Sequence, residues 1–211
     1  MIGVLLLLAP VQAQECRAAR ADQDVTIYLV TTGPGESLFS LMGHSALWVS
    51  GGDREARIYN WGAFDSSQED FVWKFLDGSL DYRLSLESYG RTQDRAEADG
   101  RRIVAQHLNL PPDATTSLLS ILDENVRPEN RDYLYHWLED NCATRVRDVL
   151  NQALSGQLEQ MESLDRSYTI RDEILRHMGA STPIWFGWHF MASSYAETRH
   201  DAWSDLHVPV R

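Results

Sequence analysis

The sequence predicts an α+β fold in which helices pack around a small antiparallel sheet. Two sequence patterns support this class. The first half of the chain contains short β-rich segments between Gly and Asp turns, and the second half contains longer segments with helical spacing. No internal repeat, low-complexity tract or linker separates the two halves. We therefore expect one domain over residues 14–211, preceded by a signal peptide at residues 1–13.

Strand patterns follow one another in the first half. Residues 25–31 are rich in β-branched side chains, and residues 45–50 follow a loop that contains Gly33 and Gly35. The Gly51-Gly52-Asp53 turn predicts that residues 56–61 return as a hairpin partner. A helix is expected at 67–76, and alternating leucines and a tyrosine at 80–86 predict a half-buried strand.

Helical patterns dominate the second half. We expect helical structure over the charged segment 94–107, and Asp113 is predicted to cap a helix that ends near Val126. A further helix is expected from Asn141 or Cys142 to about residue 154. Thr169 and Asp172 resemble a capping box, and Pro183 is expected to open a last, aromatic helix.

The amino terminus and the overall charge limit the cellular context. Residues 1–13 form a short apolar run that ends in Val-Gln-Ala, which is typical of a secretory signal cleaved after Ala13. Gln14 and Glu15 do not suit a lipoprotein signal at Cys16. A periplasmic protein is therefore expected. The net charge of -12 argues against binding to nucleic acid, since a phosphate backbone would repel the chain.

The chain contains two cysteines, Cys16 and Cys142. In an exported protein they could form one disulfide. The alternative is a reactive thiol at Cys142, because Cys16 lies in a polar tail and two cysteines are too few for a disulfide scaffold. We favour the thiol.

The segment LEDNCATRVRD places Cys142 in a chemically active position. Asp140 or Asn141 is a good N-cap, so Cys142 falls in the first turn of a helix, where unpaired amides and the helix dipole favour a thiolate. Arg145 lies three residues on and is expected to add positive potential on the same face. A cysteine that only fills core volume is the alternative interpretation.

A nucleophilic thiol needs a base, and His44 is the strongest candidate among seven histidines. It opens the predicted strand in GHSALWVS, directly after Gly43, so its ring can face a cleft. Asn60, on the neighbouring strand, is expected to orient the ring as a third catalytic residue. Tyr59 and Asp65 are weaker candidates for that task.

These residues carry a family resemblance. The order of a strand His, a polar group on the next strand and Asn-Cys at a helix start resembles the circularly permuted papain-like fold of lecithin-retinol-acyltransferase-like and NlpC/P60-like thiol enzymes. More specifically, the chain resembles the Lnb N-terminal periplasmic domain family in the segments GPGESLFSLMGHSALWV, IYNWGAFD, FLDGSLDYRLS, RPENRDYLYHWLEDNCATRVRD and VPVR.

The resemblance implies a lipoprotein N-acyltransferase-like enzyme with no cofactor and no metal. An acyl chain would pass from a phospholipid through a Cys142 thioester to an amine such as a lipoprotein N-terminus. We assign Arg145, Asn141 and Trp61 to substrate binding. The alternatives are a cysteine peptidase or amidase of the cell wall, and a catalytically silent envelope binding module.

Three further sequence features give weaker indications of function. The aromatic segment 183–191 could contact a membrane peripherally, although a buried core helix explains it better. The histidines and aspartates of HDAWSDLH match no metal motif. His136 is expected to be packed, and Glu129 to Arg131 to form a structural turn.

Overall fold

The protein is described by a computed structural model over residues 25–37, 40–65, 67, 69–71, 73–74, 79–136, 138–160, 169 and 172. In these residues the chain forms an open six-stranded antiparallel sheet with the order β5-β1-β2-β3-β4-β6. The strands are β1 Val25–Thr32, β2 His44–Gly51, β3 Arg54–Phe64, β4 Asp81–Glu87, β5 Ile103–Leu108 and β6 Asp132–Leu134. The helices are α1 Tyr89–Ala98, α2 Pro112–Asn125 and α3 Cys142–Ala153. The predicted combination of an antiparallel sheet with helices is confirmed.

The centre of the sheet is built from consecutive hairpins, as predicted. Strand β1 pairs with β2 from Thr32 opposite His44 to Val25 opposite Gly51. Gly51 and Gly52 then turn the chain with φ angles of 97° and 62°, a region that residues with a Cβ rarely adopt. Strand β3 returns along β2, so the residues of both strands are fixed relative to each other by the ladder.

Helices α2 and α3 pack together over one face of the sheet, where α3 contacts β2 and β3. The main core lies between these layers and includes fully buried Leu47, Trp61, Leu118 and Leu122. Burying each such side chain stabilises the fold by roughly 1.5–3 kcal/mol. This burial holds the start of α3 against the sheet.

The prediction of helical structure through residue 107 was wrong in part. Helix α1 ends at Ala98, and Gly100 follows with a φ of 63°. The chain then forms β5, which pairs antiparallel with β1 at the sheet edge. The β-branched Ile103 and Val104 favour this extended backbone, whereas the charges of the segment had suggested an exposed helix.

Strand β4 departs from simple alternation at its end. Tyr82 and Leu84 are buried as predicted, but Leu86 is 47% exposed while Glu87 is only 8% exposed. Glu87 binds Arg95 of α1, which lies over the opposite face of the sheet at this point. At the end of β4, where α1 begins, the buried side chains therefore lie on the opposite face of the sheet. The Glu87 carboxylate is buried there beside β3.

Of the remaining predicted elements, one is corrected, one is confirmed and several lie outside the described residues. Helix α2 has Pro111 at its N-cap with no side-chain hydrogen bond, so Asp113 lies in the first turn and does not cap it. Thr169 and Asp172 make the reciprocal hydrogen bonds of the predicted capping box. The signal peptide and the segments 183–191 and 200–207 lie outside the described residues, as does much of 67–76. No helix in the described ranges combines the length and apolar character needed to cross a bilayer.

Candidate active site

Strand β2 begins at the candidate base. Gly43 has a φ of 80°, which lets the chain turn sharply before His44 enters the sheet opposite Thr32. Asn60 lies in β3, the neighbouring strand, and only 6% of it is exposed. The antiparallel ladder thus brings together two polar residues that the sequence analysis had paired.

A hydrogen bond fixes the imidazole. His44 Nε2 lies 2.7 Å from Asn60 Oδ1, and the backbone N–H of Gly62 donates to the same oxygen at 2.9 Å. Because this oxygen accepts both bonds, Nε2 carries a proton and donates it to Asn60. The other ring nitrogen, Nδ1, is then the one that can accept a proton from a thiol.

Gly62 leaves the space that the ring occupies. A Cβ at this position would lie 2.4 Å from His44 Cε1 and 3.0 Å from Asn60 Oδ1. Such approaches are far inside van der Waals contact, so a larger residue would have to push the imidazole aside. Glycine at this position is therefore part of the site's construction.

Helix α3 begins at Cys142 because Asn141 caps it. Asn141 Oδ1 accepts hydrogen bonds from the backbone N–H groups of Ala143 at 2.8 Å and Thr144 at 3.0 Å. Thr144 Oγ1 in turn accepts from the Asn141 N–H at 2.8 Å, which completes a capping box. Asn141 is 4% exposed and its oxygen is engaged in the cap, so its observed contacts are structural.

Cys142 is a free, partly exposed cysteine that is hydrogen-bonded to His44. Burial acts to raise the pKa of its thiol. The positive His44, the hydrogen bond to it and the backbone N–H groups of Ser45 and Ala143 outweigh burial and hold the pKa below its usual value. Cys16, the partner in the alternative disulfide, lies outside the described residues, within which Cys142 is free.

The base shows the complementary shift. Burial acts to lower the pKa of His44, but the charge and hydrogen bond of Cys142 and the hydrogen bond of Asn60 raise it above its usual value, against a smaller opposing effect of Arg101. A lowered thiol pKa beside a raised imidazole pKa favours a thiolate and imidazolium pair. The arrangement can therefore supply a nucleophile without a further base.

The hydrogen-bonded chain continues beyond the residues singled out from the sequence. Asn60 Nδ2 donates to Glu87 Oε1 at 2.7 Å, and Arg95 Nη2 donates to Glu87 Oε2 at 2.5 Å. Glu87 thereby fixes the orientation of the Asn60 amide, so that Asn60 Oδ1 points toward His44. Sequence reasoning missed Glu87 because it sits on the polar side of an alternating strand. Its place directly before Ser88, the N-cap of α1, was the available signal.

Two residues assigned to substrate binding contact other parts of the protein. The Arg145 guanidinium donates through Nε and Nη2 to both carboxylate oxygens of Asp140, and it lies 4.3 Å above the Tyr133 ring. Asp148, which lies one turn further along the same helix, contacts Arg147. Trp61 is 1% exposed and belongs to the core, so its side chain is not available to a substrate. Trp61 is therefore a core residue, which corrects its placement in a substrate site, and substrate binding by Arg145 stays a prediction.

The weaker candidates make contacts with other residues. Tyr59 is buried in the core, and the Asp65 carboxylate accepts hydrogen bonds from Ser67. His136 Nδ1 accepts a hydrogen bond from the N–H of Glu139. Within the described part of the chain, no three His, Cys, Asp or Glu residues form a group that could hold a metal.

A cavity of about 530 Å³ opens beside the imidazole. Its wall includes His44, Asn60 and Gly62 from the sheet, and polar side chains from the loop before β2 and from α1. A cavity of this size accommodates a small organic group or part of a lipid. The imidazole therefore faces a space that a substrate can enter.

One comparison with known proteins finds a match. The model of the Lnb N-terminal periplasmic domain matches residues 13–176, more than half of the 211 residues. No curated protein and no solved structure matches the chain significantly. The chain therefore belongs to the Lnb N-terminal periplasmic domain family, and this membership confirms the periplasmic location expected from the sequence.

Proposed function

We propose that the protein is a cysteine-dependent acyltransferase in which Cys142 is the nucleophile, His44 the base and Asn60 the residue that orients the base. The observation that carries the proposal is the hydrogen-bonded pair of Cys142 and His44 at the capped start of α3. The opposed pKa shifts of the two groups support a reactive thiolate.

The first half-reaction forms a thioester. Nδ1 of His44 takes the Cys142 proton, and the sulfur attacks the carbonyl carbon of an acyl ester. The bond between that carbon and the ester oxygen breaks as the sulfur–carbon bond forms. The imidazolium returns its proton to the departing alkoxide, so the free alcohol leaves and the acyl chain stays on Cys142.

The second half-reaction transfers the acyl chain. An amine attacks the thioester carbon, and His44 takes the proton that the amine loses. The carbon–sulfur bond breaks and the thiolate is restored beside the imidazolium, which is its resting partner. The hydrogen bond from His44 to Asn60 keeps the same ring nitrogen directed at the sulfur through both steps.

The fold supports a finer structural inference. A nucleophilic cysteine at a helix start and a histidine at a strand start, packed across an antiparallel sheet, are the arrangement expected of a circularly permuted papain-like domain. The residues run His44, Asn60, Cys142 along the chain. We infer this fold class on that order and on the contact of α3 with β2 and β3.

The donor and the acceptor follow from the family resemblance. We propose a phospholipid as donor and an amine such as a lipoprotein N-terminus as acceptor, with contact to the membrane surface. The periplasmic family supports this choice, since both groups are accessible from that compartment.

An amidase or peptidase acting on cell-wall peptides is the second candidate. The polar lining of the cavity favours it, because Ser37, Arg91 and Arg95 could bind a polar peptide as well as a lipid headgroup. The same thiolate would attack an amide, and water would release the product. A silent binding module would need no thiolate, so the Cys142–His44 contact argues against it.

The test is peptide-resolved mass spectrometry of the whole protein after incubation with phospholipid vesicles. We expect an acyl adduct on Cys142 that disappears when an amine-bearing lipopeptide is added, with the acyl chain recovered on the lipopeptide. His44→Ala should abolish the adduct, whereas the control His107→Ala, on the edge strand β5, should retain it.

The outcomes separate the candidates. Cleavage of a wall peptide without an acyl adduct would favour the amidase. Full transfer by Cys142→Ala would overturn thiol catalysis altogether.

A further inference from the structure

Three arginines line the cavity beside His44, although the chain as a whole carries a net charge of -12. They are Arg91 and Arg95 of α1, and Arg101, which follows that helix. Arg95 is already paired with Glu87, and Arg91 is exposed. Arg101 is partly buried and belongs neither to the thiol pair nor to the residues that orient it.

The loop before β2 holds Arg101 in place. Its Nε donates to the carbonyl oxygen of Gly33 at 2.7 Å. A Cβ on Gly35 would lie 3.1 Å from Arg101 Cδ and 2.6 Å from Ser40 Oγ, so the loop is packed tightly against the arginine stem. The guanidinium is thus fixed in advance of any ligand, which reduces the entropy lost on binding.

One nitrogen of this fixed guanidinium has no acceptor. Arg101 Nη2 is buried, and none of the residues described by the structure accepts a hydrogen bond from it. A buried charged donor is costly to leave unsatisfied. A site that keeps such a donor at the wall of a cavity is suited to bind an anion there.

Arg101 also lies close enough to the reactive pair to interact with it. Burial lowers the pKa of Arg101, while the charges of Asp99 and Cys142 act to raise it, and Arg101 itself disfavours a charged His44. Arg101 and His44 line the same cavity, so an anion bound to Arg101 would share this cavity with the base. Only a few bonds separate the phosphate of a glycerophospholipid from its ester carbonyls, so a phosphate bound there would keep an ester group in the same region.

We propose that Arg101, with Arg91 on the same cavity wall, forms a subsite for the phosphate of the acyl donor. This inference rests on the proposed acyltransferase function and names the residues that would select a phosphate-bearing donor over a neutral glyceride.

The test uses two short-chain donors with the same acyl groups, dihexanoyl phosphatidylglycerol and neutral dihexanoylglycerol. Formation of the Cys142 thioester is followed by peptide-resolved mass spectrometry with the whole protein. Because a charge-assisted hydrogen bond is lost with the neutral donor, we expect it to react roughly tenfold more slowly or worse. Arg101→Gln should bring the two rates together. The control Arg57→Gln, which alters an arginine on β3 paired with Glu55, should keep the difference.

A second readout does not depend on acyl transfer. Inorganic phosphate should slow the alkylation of Cys142 by iodoacetamide in a saturable way in the wild type and in Arg57→Gln, and should have no such effect in Arg101→Gln. Circular dichroism checks that Arg101→Gln has folded, because an unfolded chain would also be alkylated.

Each outcome decides a separate point. Equal rates for both donors in the wild type, or an equal slowing of both by Arg101→Gln, would overturn the phosphate subsite and leave thiol acyl transfer standing. Reaction with neither donor would overturn the proposed function. In that case, phosphate protection lost only in Arg101→Gln would still support an anion subsite, and its absence would overturn the subsite as well.

Discussion

Two charged networks meet at the start of α3, and they differ in how the sequence builds them. The Arg145 network is local in sequence and consists of Tyr133, Asp140 and Arg145. The thiol network draws on three strands and two helices and consists of His44, Asn60, Glu87, Arg95 and Cys142. The local network fixes the approach to the helix, and the dispersed one sets the chemistry of the sulfur.

Closeness in sequence is therefore a poor guide to which side chains contact the reactive sulfur. Arg145 is one helical turn from Cys142, yet Nε and Nη2 of its guanidinium bind Asp140. His44 is far away along the chain and contacts the sulfur because β2 lies under α3. Variants that disturb each network separately therefore test whether only the thiol network affects the reaction at Cys142.

The largest effect is expected from Gly62→Ala. The added Cβ would collide with the His44 ring, displacing the base from both Asn60 and Cys142. Since small misplacements of catalytic groups cost about 100-fold in rate, we expect Cys142 acylation to fall by that order.

Gly90→Ala is the matched control, because a Cβ there meets no atom within 4 Å. It should leave acylation unchanged. Acylation at the wild-type rate in Gly62→Ala, with both variants folded by circular dichroism, would show that the position of His44 does not matter.

A smaller effect, on stability, is expected from Glu87→Ala. Its removal leaves the Asn60 amide and Arg95 without their shared acceptor in an enclosed place. Unsatisfied buried polar groups cost about 1–3 kcal/mol, so the free energy of unfolding in urea should fall by that amount. Glu87→Gln, which keeps an oxygen for Asn60, should lose less. An unfolding free energy unchanged in both variants would remove Glu87 from the network.

The smallest effect is expected from Asp140→Asn in the Arg145 network. The two side chains of the ion pair are 29% and 35% exposed, and exposed pairs contribute about 1 kcal/mol or less. Urea unfolding should therefore change little, and acylation of Cys142 should stay near the wild-type rate. A large loss of acylation with an intact fold would place the Arg145 network in the reaction after all.

Much of this architecture could be predicted because its signals are local. The Gly51-Gly52 turn specified the β2–β3 hairpin, and Asn141 specified the start of α3. The prediction failed at residues 103–108, where charge outweighed β-branched side chains and where pairing with β1, a distant segment, decides the structure.

The site was predictable in part for the same reason. Cys142 and His44 each follow a local signal, a helix cap and a strand start. Glu87 contacts Asn60 only in the folded chain, where α1 folds back over β3. Arg101 likewise contacts the loop before β2 only once the chain has folded. Trp61 carried no mark in the sequence to distinguish a core residue from a substrate contact.

The proposed role of His44 is to hold Cys142 as a thiolate, and the pH dependence of Cys142 alkylation measures this. Iodoacetamide reacts with the thiolate, so the midpoint of its rate against pH reports the thiol pKa. Peptide-resolved mass spectrometry separates Cys142 from Cys16. We predict a wild-type midpoint below about 8.5, the usual value for cysteine, and a clear upward shift in His44→Ala but not in His107→Ala. The same midpoint in wild type and His44→Ala would contradict the account.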